Sequence, residues 1–304
     1  MPWRFVEMYG RIPFGDIVVF LALEENNRAL RNLSRGEARA PLTSLKSLAT
    51  SAERLAAAWE LMRQSVPSAV AEAAEQRLAD VEEALKPALA DEHVRATLHR
   101  LVERPSNAKA KTDLAALELA QARARVVPVA PLTQLSIAFQ AESSAWQQLP
   151  LDGTDDDHVL DGFVHCYARG RAIAGELSRG EGDETFASWS RWVSFTFHQL
   201  DFLRPALSAD NRARRWCLGR LLDTFCKHEG LLGVRRIVSD VAFDAEKTIR
   251  IEAALEACLD ATRERALKLV PHAYGATPET YRASIREDLG RFALQHNLPL
   301  PRTA

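Results

Sequence analysis

With 304 residues, 47% of them apolar and 26% charged, the chain has the balance of a folded globular protein and the length to bury a sizeable core. Its formal net charge of -2 excludes a global field that would draw it onto nucleic acid or an anionic membrane, so any anion site has to be local. Four cysteines, Cys166, Cys217, Cys226 and Cys258, scattered along so long a chain fit reduced, buried thiols rather than a disulfide framework.

The first apolar run, IVVFLAL at 17 to 23, is closed by Asp16 and Glu24. It falls well short of the ~20 apolar residues of a membrane span and lacks the basic flank and cleavage site of a signal peptide. A cytoplasmic protein with no membrane partner is expected. Helical periodicity then dominates: apolar residues recur three and four apart over 17 to 33, 42 to 62 and 70 to 89, and strict alternation is nearly absent. Gly36, Pro67, Pro105, Pro128 with Pro131, and Pro150 with Gly153 stand where such helices should end. The chain reads as all-α with roughly ten helices.

PLDGTDDD at 150 to 157 is the most turn-like and acidic stretch, and Asp155 to Asp157 favour the N-terminus of a following helix. It marks a half-boundary between 1–149 and 150–304. Further helices are expected at 156 to 179, 184 to 203, about 209 to 227, about 245 to 269 and 278 to 295. Each half then holds four or five helices, enough for a packed bundle.

Two constellations carry chemistry. RARRWCLGRLLDTFCKHEGLLGVRR at 212 to 236 holds seven Arg or Lys against Asp223 and Glu229, which suits either a phosphate chain or a plain solvated helix surface. Cys226, His228 and Glu229, with Cys217 upstream, lack the spacing of a metal site, because residues two apart do not share a helix face. His165 beside Cys166 reads as a partly buried imidazole. No Walker-type loop, dinucleotide fingerprint or nucleophile elbow is present in the sequence. No catalytic residue, cofactor or metal is expected.

The aromatic stretch FASWSRWVSFTFHQLDFLRP at 186 to 205 is similar to the signature helix H-x-W-R-K-x-V-K-x-L-x-Y-Q-L-x-x-L of CHAD domains, the conserved-histidine α-helical family. Trp189, Val193, Gln199, Leu200 and Leu203 match in register, and Trp189 and Phe197 take the place of an apolar seam. YARGRAIAGELSRG (167 to 180), DTFCKHEGLLGVRRIV (223 to 238) and RALKLVPHAYGATPETYRASI (265 to 285) resemble the segments that precede and follow it. In the first half, 43 to 67 resembles a degenerate signature helix and 75 to 89 the third helix.

The resemblance implies two helical bundles related by pseudo-twofold symmetry, non-catalytic, with inorganic polyphosphate as the inherited ligand. In that family a row of cations at i, i+3, i+4 and i+7 lies on one helix side and cradles the polyanion. Here the row reads Ala187, Ser190, Arg191 and Ser194, and in the first half Lys46, Ala49, Thr50 and Glu53. The expected anion-binding set is therefore Arg191, His198, Arg169, Arg171, Arg215 and Arg220, with Lys46 and Arg54 from the first half. Binding of polyphosphate, or of another phosphate-rich anion, should be weakened, since a polyanion's affinity follows the number of cations engaged. The alternative is a scaffold that has lost this ligand and serves a protein partner or a homo-oligomer, with small residues beside Trp192 and Phe195 admitting another helix.

Overall fold

The computed structural model describes residues 14–34, 42–103, 110–124, 132–149, 156–179, 183–240 and 243–295. Among the breakers named above, only Pro67 falls inside them; the others, like Asp155, lie outside the described residues. Ten α-helices and no strand occur among the described residues: α1 (Phe14–Ser34), α2 (Leu42–Met62), α3 (Ser68–Glu103), α4 (Lys111–Ala124), α5 (Leu132–Gln147), α6 (Asp156–Leu177), α7 (Asp183–Phe202), α8 (Ala209–Asp240), α9 (Ala245–Tyr274) and α10 (Pro278–Gln295). The all-α reading stands, and no described helix is long and apolar enough to cross a membrane.

Two helices, α3 and α8, run well past their expected ends, for one physical reason. Along α3, Ala74, Leu78, Val81 and Leu85 face one apolar core, and Leu98, Leu101 and Val102 face a second. The polar stretch between them breaks the periodicity without breaking the helix. Pro87 sits inside α3, where a proline costs ~3 kcal/mol, and the packing on either side outweighs that cost. Likewise α8 continues to Asp240 because Leu231, Val234 and Val238 enter the second core. The N-terminus of α9 is fixed by Asp244, whose side chain accepts a hydrogen bond from the Lys247 amide at 2.9 Å.

The main core holds the largest fully buried side chains, Trp146, Trp189, Tyr167, Tyr281, Phe139 and Phe163, and draws on helices from both sides of residue 150. The second core is smaller and is built from the last turns of α3, α4, the end of α8 and the start of α9. Neither core is confined to one half of the chain. At the centre, α2 packs against α1, α3, α6 and α7, while α8 packs against α3, α7 and α9.

Close approach of α6 to α2 requires glycine at 162: a Cβ there would stand 2.7 Å from Leu61 Cα and 2.8 Å from Leu61 O. The acidic start of α6 does more than cap. Asp156 Oδ1 accepts from the Phe14 amide at 2.7 Å, Asp161 pairs with Arg282, and Asp157 pairs with Arg282 and Arg286, which ties α6 to α1 and α10.

Candidate functional site

Where α2, α3, α7 and α8 meet, they leave a groove of about 360 Å³. Its floor is apolar, formed by Trp59, Leu78, Phe195, Leu222 and Phe225. Its walls carry Glu53 and Glu60 from α2, Glu75 and Glu82 from α3, and Glu229 from α8, against Arg63 and Arg191. Five carboxylates facing two guanidiniums give the groove an excess of three negative charges when all are ionised.

These charges are not all neutralised within the protein. Arg191 pairs with Glu75, and Arg63 pairs with Glu60 and with Glu75 at 3.2 Å. Glu53 accepts from His198 Nε2 at 3.0 Å and from the Ser194 hydroxyl at 3.4 Å. That contact to a carboxylate fixes the Nε2–H tautomer, and the buried Nδ1 has no partner among the described residues. Glu82 and Glu229 make no ion pair among the described residues.

Proton affinities follow from this layout. The Arg191 hydrogen bond holds the Glu75 carboxyl below its usual range. Burial, reinforced by the nearby Glu53 charge, raises Glu82; burial raises Glu229, with His93 opposing it and Glu53 adding to it. Cys226 is exposed as a residue, unlike the buried Cys166, Cys217 and Cys258, and so departs from the expected buried thiol. Its sulfur is nonetheless shielded, and burial together with Glu229, Glu53 and Asp223 pushes its pKa up to about 11.

A test of this layout is the pH dependence of stability. With raised carboxyls at Glu82, Glu229 and the buried Glu142, the folded chain binds protons before the unfolded one as pH falls towards the ordinary value of 4.5. Stability rises wherever the folded state holds more protons, so Tm should increase from neutral pH down to that point. Below it, protonation of Glu75 reverses the trend. Thermal melts across this range check the sign, and the variant carrying Glu82→Gln and Glu229→Gln should give a flatter profile.

The residues expected to bind an anion are brought together only in part, and most are engaged by carboxylates. Arg54 reaches Glu25 at 3.0 Å and Asp201 at 2.8 Å, and Arg215 binds the other oxygen of Asp201 while lying over Phe197. Arg220 faces Asp223 at 3.7 Å, and Arg171 donates to the Tyr274 carbonyl at 3.2 Å. Arg169 lies over the Trp192 ring, and Lys46 is exposed on α2. Of the eight, only Arg191 lines the groove; His198 is buried behind it, reaching Glu53. Ser190 and Ser194 line it as well, whereas Ala187 is exposed outside it.

The seam reading holds for Trp189, which is fully buried, and Phe197 packs partly buried against the same core. His165 is exposed, with its ring edge-on to Trp192 at 5.5 Å, so the expectation of a partly buried imidazole is corrected. His228 is buried against Phe186. Among the described residues, no three His, Cys, Asp or Glu side chains converge to hold a metal.

Sequence reasoning noted Glu53 and Glu229 but missed the gathering of five glutamates around one groove. Glu53 and Glu60 stand seven apart on α2, and Glu75 and Glu82 seven apart on α3. Residues two turns apart share a helix face, so this double spacing was a legible sign of two acidic walls. Only the packing of α2 beside α3 makes the walls face one space. No protein family, curated protein or solved structure gives a significant match to the chain.

Proposed function

We propose that the chain is a non-catalytic helical binding module of the CHAD type whose polyanion groove has been converted into one that accepts positive charge. The order of helix contacts supports the family reading. Packing of α1 on α2, α2 on α3, α3 on α4 and α1 on α5 is repeated by α6 on α7, α7 on α8, α8 on α9 and α6 on α10. Equivalent helices also meet each other, α2 with α7 and α3 with α8, as they would beside a twofold axis. Contacts of α2 with α6 and of α3 with α5 have no equally strong counterpart, so the repeat is imperfect.

The observation that carries the functional reading is the excess of carboxylates around Arg191. A polyanion entering this groove would meet three surplus negative charges and would have to displace the Arg191–Glu75 pair. A non-catalytic role fits the bonding order of Ser194, Glu53 and His198. In a hydrolytic triad the histidine stands between hydroxyl and carboxylate, whereas here the carboxylate stands between the other two. The Cys226 thiol, pushed up to about 11, stays protonated at neutral pH and is a poor nucleophile.

Long-chain polyphosphate should leave the Tm of the wild-type protein unchanged at low salt. A variant carrying Glu82→Lys and Glu229→Lys turns the excess of three negative charges into one positive, and it should gain Tm with polyphosphate through binding linkage, an effect that fades as salt rises. Stabilisation of the wild type by polyphosphate would overturn the proposal.

A further inference from the structure

We infer that the groove between α2, α3, α7 and α8 is a binding site for a linear aliphatic polyamine. The inference rests on the proposed cation-accepting character of the groove and names the class of cation. Four observations converge on it: volume, free acceptors, floor and spread of charge.

The volume of about 360 Å³ lies within the range of small-ligand sites and corresponds to about twelve waters at ~30 Å³ each. That is room for a chain of amines and methylenes rather than a single ion. Glu60 supplies an acceptor that the protein leaves open. Its side chain is only 6% exposed and lines the cavity, and its single partner is Arg63 on Oε2. Oε1 has no donor among the described residues and is not closed off from solvent. A carboxylate oxygen left open in this way can accept a charged donor from a ligand.

Glu82 and Glu229 add two carboxylates with no ion pair among the described residues, and they come from α3 and α8, which pack against each other. These acceptors are distributed along the walls, and no three of the described acidic, His or Cys side chains converge on one point. A compact divalent ion needs convergence of oxygens; a chain of ammonium groups needs them spaced. Between the carboxylates, Leu78, Phe195 and Leu222 offer an apolar floor for the methylenes.

Calorimetric titration of the full chain with spermidine at low salt tests the inference. Binding is expected, with affinity falling as salt rises and as pH drops towards the protonation of Glu82 and Glu229. Glu82→Gln, which removes no ion pair among the described residues, should weaken binding about tenfold, the equivalent of one lost charged contact. Glu60→Gln should weaken it at least as much, with circular dichroism verifying its fold. Magnesium at matched ionic strength should not compete. An unchanged affinity in Glu82→Gln, or equal competition by magnesium, would overturn the inference. So would tighter binding of pentalysine than of spermidine with the same glutamate dependence, which would assign the groove to a basic peptide and leave the proposed cation-accepting character intact. Binding of polyphosphate by the wild type would instead sink the proposed function itself.

Discussion

Replacing Glu142 with Ala is expected to destabilise the protein by about 3–5 kcal/mol, the range for removing one partner of a buried charged network. Glu142 on α5 is only 1% exposed, yet all its bonding capacity is used. Its Oε1 accepts from the indole N–H groups of both Trp59 and Trp146, and Oε2 accepts from Arg77 Nε at 3.1 Å and Nη2 at 3.0 Å. The two indoles pack with ring centroids 4.0 Å apart. Truncation leaves two buried donors orphaned, strands the Arg77 charge and opens a cavity beside two tryptophans. Each of these costs free energy in the same direction.

Burial raises the proton affinity of Glu142, and its indole and Arg77 donors oppose that rise. Glu142→Gln keeps an acceptor for the indoles while removing the charge, so it should cost clearly less than the Ala variant. Urea unfolding, with the near-ultraviolet dichroism of the Trp59–Trp146 pair as a second probe, measures both. A loss below about 1 kcal/mol for Glu142→Ala would mean that the network contributes no more than an ordinary surface pair. Trp59 also forms part of the groove floor, so the same variant should loosen the groove.

Gly162→Ala is the second large effect, and its sign is informative. On an isolated helix the change would stabilise by ~1 kcal/mol, because alanine is the better helix former. Here the new methyl would lie 2.7 Å from Leu61 Cα, 2.8 Å from Leu61 O and 3.1 Å from Glu60 O, all of them backbone atoms that no rotamer change can move aside. Relief requires α6 to withdraw from α2, and overpacking of that kind costs ~3 kcal/mol or more. A net loss of about 2 kcal/mol is expected. Gly175→Ala on the same helix provides the contrast, since nothing lies within 4 Å of its added methyl, and it should stabilise the protein. Equal effects of the two substitutions would refute the close crossing of α2 and α6.

Helix placement was legible wherever one apolar face runs the length of a helix. The bounds of α2 and α10 match the periodicity directly, and α6 and α7 lie within two residues of it. Failure came at α3 and α8, whose apolar residues serve one core in the first part and another in the last. A window of sequence reads that change of partner as an end. Of the four row positions that the resemblance singled out, Ser190, Arg191 and Ser194 line the groove and Ala187 does not. The resemblance did not reveal that Arg54 and Arg215 converge on Asp201, or that Arg191 reaches Glu75, because both pairings join residues more than ten positions apart across different helices.

Local sequence alone determined the all-helical character, the positions of most helices and the apolar seam through Trp189, since these follow from side-chain spacing along a single helix. The sign of the groove was decided only by tertiary structure. The basic residues near it are drawn onto carboxylates of neighbouring helices, while Glu53, Glu60, Glu75, Glu82 and Glu229, contributed by three helices, are gathered around one cavity. Charge in a cleft is a sum over elements that only packing brings together. For that reason a nearly neutral chain, with Arg-rich stretches that suggest an anion site, folds into one whose groove is lined by an excess of carboxylates.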